Sequence, residues 1–474
     1  MARMPFGKRV LGLVTASALA IGAGMAATAE TLADAMASAY NHSGLLEQNR
    51  ALLRAADEDV AIAIAALRPI LNWTGSVSRS FGTSQSANSL GQSVVTRSAT
   101  NEIDLGLTAE LLLYDFGATQ FGIDAAKESV LATREALVSV EQQVLLRAVT
   151  AFMNVRSAYE IVALRENNLR LITQELRAAR DRFEVGEVTR TDVAQAEAAL
   201  AASRAQLAAA QGDLAVAAEE YAAVTGNKPG GLVPPSRVPA TSDNVDAAKA
   251  LGVRNHPEMK RAQHEVAAAD LAIMRAEAQM KPTVSMTGRL AMSRDIDDPF
   301  YTNSGSVGIQ AGGPIYQGGR LSALLRQAIA RRDATRGGLH VTRHQVAQNV
   351  GNAWAQLLVA RSARDAATRQ IAAAQVAFRG TREEATLGAR TTLDVLNAEQ
   401  ELLSARSTLI TASADEYIAA YTLLSAMGLL TTDRLGLNVQ RYDPAQYYNL
   451  VKDAPTISRQ GKDLDRVLKA LGKD

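Results

Sequence analysis

Two hydrophobic periods take turns along this chain. After Pro69 the odd positions Leu71, Trp73, Gly75, Val77 and Phe81 are mostly apolar, while Asn72, Thr74, Ser76, Ser78 and Ser80 are polar and Arg79 is the exception. That alternation predicts a strand over 70–82 with one dry face. Ile103, Leu105, Leu107, Ala109, Leu111 and Leu113 alternate with Glu102, Asp104, Thr108 and Glu110, predicting a second strand over 101–113. Val284, Met286, Leu290 and Met292, then Val307, Ile309 and Ala311, repeat the period over 283–294 and 304–315. Elsewhere the chain is rich in Ala, Leu, Gln, Glu and Arg, which are strong helix formers. No proline falls between Pro69 and Pro229 or between Pro314 and Pro444, so long helices are predicted over 118–184, 191–225, 320–385 and 392–427. At about 1.5 Å per residue the first would be about 100 Å long, more than a globular domain needs. Shorter helices are expected over 31–67 and 245–279.

The pattern is duplicated. The step that carries Gly186 to Gly388 also carries Asp192 to Asp394, Glu197 to Glu399, Gly226 to Gly428, Tyr114 to Tyr316 and Gly117 to Gly319. A longer step relates Ala56-Asp57 and Pro69 to Ala269-Asp270 and Pro282. The difference falls where copy one carries a Gly/Ser/Asn-rich stretch, so a longer loop is expected around Thr83 to Ser98. Gly186 and Gly388 sit where each long helix should reverse. The expected domains are repeat one over 30–226, a proline-rich linker over 227–244, repeat two over 245–428, and a further segment and tail over 429–474.

Arg3, Lys8 and Arg9 precede an apolar run ending near Ala27-Thr28-Ala29, which reads as a signal peptide over 1–29. No later run is long and apolar enough to cross a bilayer as a helix, so any membrane-inserted part would be built from strands. The chain has 474 residues, 50 Lys+Arg against 49 Asp+Glu, and no cysteine. Near-neutral charge offers no bulk attraction to nucleic acid, and the missing thiols exclude disulfides, thiolate metal sites and a lipid-modified cysteine. Four strands cannot close a barrel, since known barrels start at about eight, so several chains would have to share one. Phe81, Tyr114, Phe116, Phe300, Tyr301 and Tyr316 gather near strand ends, as an interfacial aromatic girdle would.

With Arg68-Pro69 opening the first strand, Leu113-Tyr114-Asp115-Phe116-Gly117 closing the second, Tyr316-Gln317-Gly318-Gly319-Arg320 closing the fourth, and paired tips, the chain resembles the TolC family of outer membrane efflux proteins, in its non-lipidated branch. The resemblance covers nearly the whole chain after residue 30. It implies an α+β membrane protein of two structural repeats, each with a β-hairpin and a long helical hairpin. It further implies a homotrimer with a shared twelve-stranded barrel in the outer membrane of a Gram-negative bacterium and a helical tunnel across the periplasm. The function implied is a passive exit duct for efflux or type I secretion. Its partners would be a periplasmic adaptor (membrane fusion) protein, an inner-membrane pump of ABC or RND type, and outer membrane lipid, with no nucleic acid, no cofactor, no metal and no enzymatic activity.

By the same resemblance Arg390, Asp192 and Thr191 occupy latch positions, and Asp394 and Asn397 line a pore constriction. Three copies of Asp394 facing one axis would concentrate negative potential and raise their own pKa. Ala385 and Asn397 stand where the family often has a bracing tyrosine and a second acidic ring. The tips, with Val185, Gly186, Leu387 and Gly388, are the expected docking surface for the adaptor. On residues alone, Arg390 and Asp394 could simply form a solvated local pair. A non-channel secreted or periplasmic coiled-coil structural or adhesive protein is the competing reading. A metal enzyme built on His340 and His344 is weaker, because no third ligand is evident. Asp57, Glu58 and Asp59 read as a solvated acidic face.

Overall fold

The computed structural model describes residues 30–452 and 459–470; the predicted signal peptide lies outside them. In chain order the elements are α1 (Leu32–His42), α2 (Gly44–Ala65), β1 (Ile70–Ala87), β2 (Ser93–Tyr114), α3 (Ala118–Glu184), α4 (Arg190–Thr225), α5 (Val245–Asn255) and α6 (Pro257–Ala278). They continue with β3 (Thr283–Asp295), β4 (Tyr301–Gly312), α7 (Arg320–Thr386), α8 (Thr392–Ala426), α9 (Thr432–Leu435), α10 (Pro444–Val451) and α11 (Arg459–Ala470). Both α3 and α7 run for 67 residues.

The four strands make one antiparallel sheet in the order β1-β2-β3-β4, so the two hairpins of the duplicated plan join through β2 and β3. Cross-strand partners share a face of a sheet. Trp73 pairs with Leu107 and Leu107 with Leu290; Leu111 pairs with Met286 and Met286 with Ile309. One face is therefore largely apolar, broken toward its far end by Arg79, Asn101, Arg294 and Asn303, and its apolar residues are exposed: Trp73 by 80%, Val77 by 73%, Ile309 by 72%. On the other face Ser76 pairs with Asp104, Asp104 with Ser293, and Ser293 with Thr302. The Ser76 hydroxyl donates to Asp104 at 3.3 Å, and that of Ser293 donates to Glu102. Within the single chain β1 and β4 each leave an unpaired edge.

The expected long loop of copy one is instead an extension of the hairpin. Pairing continues from Phe81–Ala99 to Ala87–Ser93, and the turn is tightened by Asn88, whose side-chain oxygen accepts from the amides of Leu90 at 3.1 Å and Gln92 at 2.9 Å. Polar residues on both faces remove the period-two signal there without preventing pairing. Each short helix expected as one piece is two. Ser43 caps α2 by accepting from the Leu46 amide, and Pro257 starts α6 after His256. One 18-residue window of α3 is apolar enough by composition to cross a bilayer, contrary to expectation, yet 50% of it is buried inside the molecule.

The largest core lies midway along the helices. There Leu145, Val149 and Phe152 of α3, Tyr221 of α4, Val350 and Leu357 of α7 and Leu423 of α8 pack with Met36 and Tyr40 of α1. Burying such side chains stabilises by about 1.5–3 kcal/mol each, so this belt fixes the two helical hairpins against each other. Toward the tips the cores shrink to two small clusters, one around Leu176, Ala179 and Ala196 and one around Phe378, Val395 and Leu402.

Candidate functional site

At the end of each helical hairpin remote from the sheet, the chain reverses in five residues between helices. Gly186 and Gly388 take φ of 82° and 78°, a region costly for residues with a Cβ. The glycine frees the chain to fold back: the Glu187 amide reaches the Arg182 carbonyl at 2.9 Å, and the Ala389 amide reaches that of Glu384 at 2.9 Å. Val185 and Leu387 beside them are exposed by 71% and 85%. Each tip thus presents one bare aliphatic side chain next to its glycine.

The return helices open with the same device. Thr189 accepts from the Asp192 amide at 3.4 Å while Asp192 accepts from the Thr189 amide at 2.8 Å and hydroxyl at 2.6 Å. Thr391 and Asp394 repeat this at 3.2, 3.0 and 2.8 Å. These are capping boxes with aspartate in the role usual for glutamate. The hydrogen bonds lower the pKa of both carboxyls, through the Thr189 hydroxyl first for Asp192 and through the Thr391 amide first for Asp394. Within one chain the shift at Asp394 is thus opposite to the rise expected from mutual repulsion.

Arg390 does not pair with Asp394. Its Nε donates to Glu384 at 2.8 Å, across the turn of its own hairpin, and this contact is the main cause of its raised pKa. Among the described residues no hydrogen bond or ion pair joins Arg390 to Asp192. Thr191 is exposed in the first turn of α4, and Asn397 is exposed on α8 near Gln195 and Leu393. The two hairpins meet through Arg382, whose guanidinium lies 3.5 Å from Glu175. Ala385 packs into the small cluster of Phe378, Val395 and Leu402.

Three acidic side chains lie deeper, two of them given no role by the sequence reading and the third, Asp57, misplaced by it. Glu399 is 4% exposed and accepts from Asn168 at 2.6 Å; Asn168 in turn accepts from the Ser203 hydroxyl at 3.0 Å. Burial pushes the Glu399 carboxyl up to about 7. Glu416 is also buried and is held by Arg364 at 2.6 Å and Arg361 at 3.5 Å. Asp57, expected in water, is fully buried on α2, and neither carboxylate oxygen has a hydrogen-bond partner. Leu46, Leu53, Asp57 and Val60 are the buried positions of α2, so Asp57 lies in its apolar stripe. Glu58 accepts from the Tyr447 hydroxyl at 2.7 Å and so ties α10 to α2; Asp59 alone of the three is exposed.

His344 lies in a cleft with Lys249, Arg254 and Arg343, cationic company that disfavours a metal ion. Among the described residues no group of three or more His, Asp or Glu side chains converges.

Comparison with known proteins fits this architecture. The family model described as outer membrane efflux protein matches residues 36–227 and 252–429, one segment for each copy of the repeat. The chain is 37% identical over 446 residues to the outer membrane efflux protein BepC of Brucella suis, covering 93% of this chain and 95% of that protein. Among solved structures it is similar to CusC, with a TM-score of 0.73 at 22% identity, covering 84% of this chain and 92% of that one. It is likewise similar to the CmeC outer membrane channel of Campylobacter jejuni, with a TM-score of 0.73 at 17% identity and 89% of each chain covered. A match that spans both repeats, with a close relative aligned almost end to end, places this chain in the outer membrane efflux protein family.

Proposed function

We propose that three copies of this chain share one twelve-stranded barrel in the outer membrane and one helical tunnel beneath it. The assembly is an exit duct for a periplasmic adaptor and an inner-membrane pump of ABC or RND type. The observation that carries this reading is the sheet: one face exposed and mostly apolar over four strands, the other lined by Asp104, Glu102, Ser293 and Arg289, and both edges open. A soluble protein does not present such a face to water, and unpaired edges call for further strands. From Leu71 to Phe81 this face, apolar except at Arg79, runs about 34 Å along the strand, or about 26 Å across a bilayer at a tilt of about 40°, comparable to the apolar band of outer membrane barrels. The hairpin extension beyond Phe81 stands outside that band, on the cell exterior.

The tips at the opposite end form the periplasmic gate. Arg390, Asp192 and Thr191 latch neighbouring hairpins in the closed trimer, and rings of Asp394 and Asn397 narrow the pore. Val185, Gly186, Leu387 and Gly388 give the adaptor an exposed aliphatic knob on a tight turn at each of six tips. Among the described residues Arg390 forms its ion pair with Glu384, an exposed pair that a neighbour can outcompete. Conduction is passive, with energy supplied by the pump.

The native mass of detergent-extracted protein and single-channel conductance test the proposal. A three-chain particle in the outer membrane, with higher resting conductance in Arg390→Ala and Asp192→Ala, is expected. A soluble monomer would remove the duct; unchanged conductance in both variants would remove the latch.

A further inference from the structure

We propose that Glu399, Asn168 and Ser203 form a proton-sensitive clasp which holds the two helical hairpins together behind the tips and releases them when Glu399 ionises. The proposal rests on the gate reading above and supplies its regulation. The three side chains come from α8, α3 and α4, so a single chain of hydrogen bonds spans both hairpins. All are buried: Glu399 is 4% exposed, Asn168 8% and Ser203 5%. Asn168 spends its amide on Glu399 and its carbonyl on Ser203, which leaves the second Glu399 oxygen buried without a partner. Leu164, Leu171, Phe378 and Leu402 supply apolar wall around the cleft, beside the polar Asn167 and Gln375 and two arginines. A neutral carboxyl tolerates this site, whereas a carboxylate there is an uncompensated buried charge that draws in water. In the duplicated plan the counterpart Glu197 is exposed in the single chain and bonds Arg180 at 2.6 Å.

The charged groups facing Glu399 do not neutralise it. From α3 comes Glu175, which raises its pKa; from α7 come Arg382, which lowers it, and Arg379; from α8 itself Arg406 lines the same cleft. Arg382 and Glu175 lie 3.5 Å apart and are committed to each other. The neighbouring α4 residues, Ser203 and Gln206 among them, bring no charge. Burial therefore dominates and pushes the carboxyl up to about 7, against an ordinary 4.5 once the seam opens and water enters. The closed seam binds the proton more tightly, so closure is fully favoured in acid. Between those two values each pH unit shifts the balance toward opening by up to about tenfold, and above about 7 nothing further is lost.

The absence of cysteine makes the test direct. Leu396 is 8% exposed and lies in the seam of α3, α4 and α8; Ala389 is exposed at the tip. Maleimide labelling of Leu396→Cys in the full-length detergent-solubilised protein, divided by that of Ala389→Cys to remove the thiol's own titration, is followed from pH 5 to 8.5. The ratio is expected to rise up to tenfold per unit and level off above pH 7, and to stay low throughout when Glu399→Gln is added. Asn168→Ala is expected to label at pH 5 as the unaltered clasp does at pH 8. A flat ratio, an undiminished rise with Glu399→Gln, or protection at pH 5 in Asn168→Ala would overturn the clasp. Conductance measured in parallel separates the two readings: a labelling step without a conductance step keeps the clasp and removes the gate, and the reverse removes the clasp alone.

Discussion

Replacing Asp57 with asparagine should stabilise the protein at neutral pH relative to acid. Asp57 is fully buried with both oxygens unpartnered. Burial pushes its carboxyl up to about 6, the charge of Glu58 adds to the rise, and Arg134 opposes it. The native state therefore holds the proton more tightly than the unfolded chain, whose value is 3.8. Stability present below about pH 4 is lost as pH rises to about 6 and stays lost above it. A shift of about 2 units at 1.36 kcal/mol per unit makes the loss about 3 kcal/mol. Asparagine cannot ionise, so Asp57→Asn escapes that loss. Whatever the amide itself costs or gains in the pocket is independent of pH and cancels between two pH values. Urea unfolding in detergent at pH 4 and 7.5, at one protein concentration, can be followed by the fluorescence of Trp73 and Trp354. The stability of the variant minus that of the parent should grow by about 2.5 kcal/mol from the lower pH to the higher, because at pH 4 a small part of the loss has already occurred. Parallel profiles would refute the reasoning, because they would mean that Asp57 ionises in the native state as it does in water.

Two further outcomes follow from the tips and the sheet. Thr189→Ala and Thr391→Ala each remove a cap worth about 1 kcal/mol, so amide exchange in the first turn of α4 or α8 should quicken about fivefold while the midway core is unchanged; equal protection would deny the capping boxes their role. Leu290→Arg places a charge on the apolar face at a cost of about 2–4 kcal/mol if it lies mid-bilayer, and should cut recovery of folded protein from the outer membrane, whereas Ser304→Arg on the opposite face should not. Equal recovery would place the membrane elsewhere.

The long helices and the one-sidedly apolar parts of the strands were legible because each signal is local and periodic: helix formers without proline, and a dry face every second residue. The hairpin beyond Phe81 was not, since a strand with water on both faces has no period to read. Other features were present in the sequence and unread. Pro257 marks the start of α6, and Thr189-Arg190-Thr191-Asp192 and Thr391-Thr392-Leu393-Asp394 carry the spacing of a capping box. Asp57 follows Leu53 by four residues and precedes Val60 by three, and Glu399 stands likewise between Leu396 and Leu402, so each acid lies on the apolar stripe of its helix. What no local pattern could supply is the partner, because Asn168 lies 231 residues from Glu399 along the chain.

The four carboxyls that matter here divide into two kinds, and the division has a physical consequence. Asp192 and Asp394 are held ionised by their own helix starts, with pKa below the ordinary carboxylate value. Asp57 and Glu399 have their protons held to higher pH by burial, with values of about 6 and about 7. Lowering pH from 8 toward 5 therefore neutralises the two seams, where α2 meets the C-terminal segment and where the hairpins meet, while leaving the tip charges intact. Charge at the mouth and cohesion along the walls respond to protons in separate ranges. In the duct proposed above, the clasp would tighten the walls in a mildly acidic periplasm while the tip aspartates keep their charge.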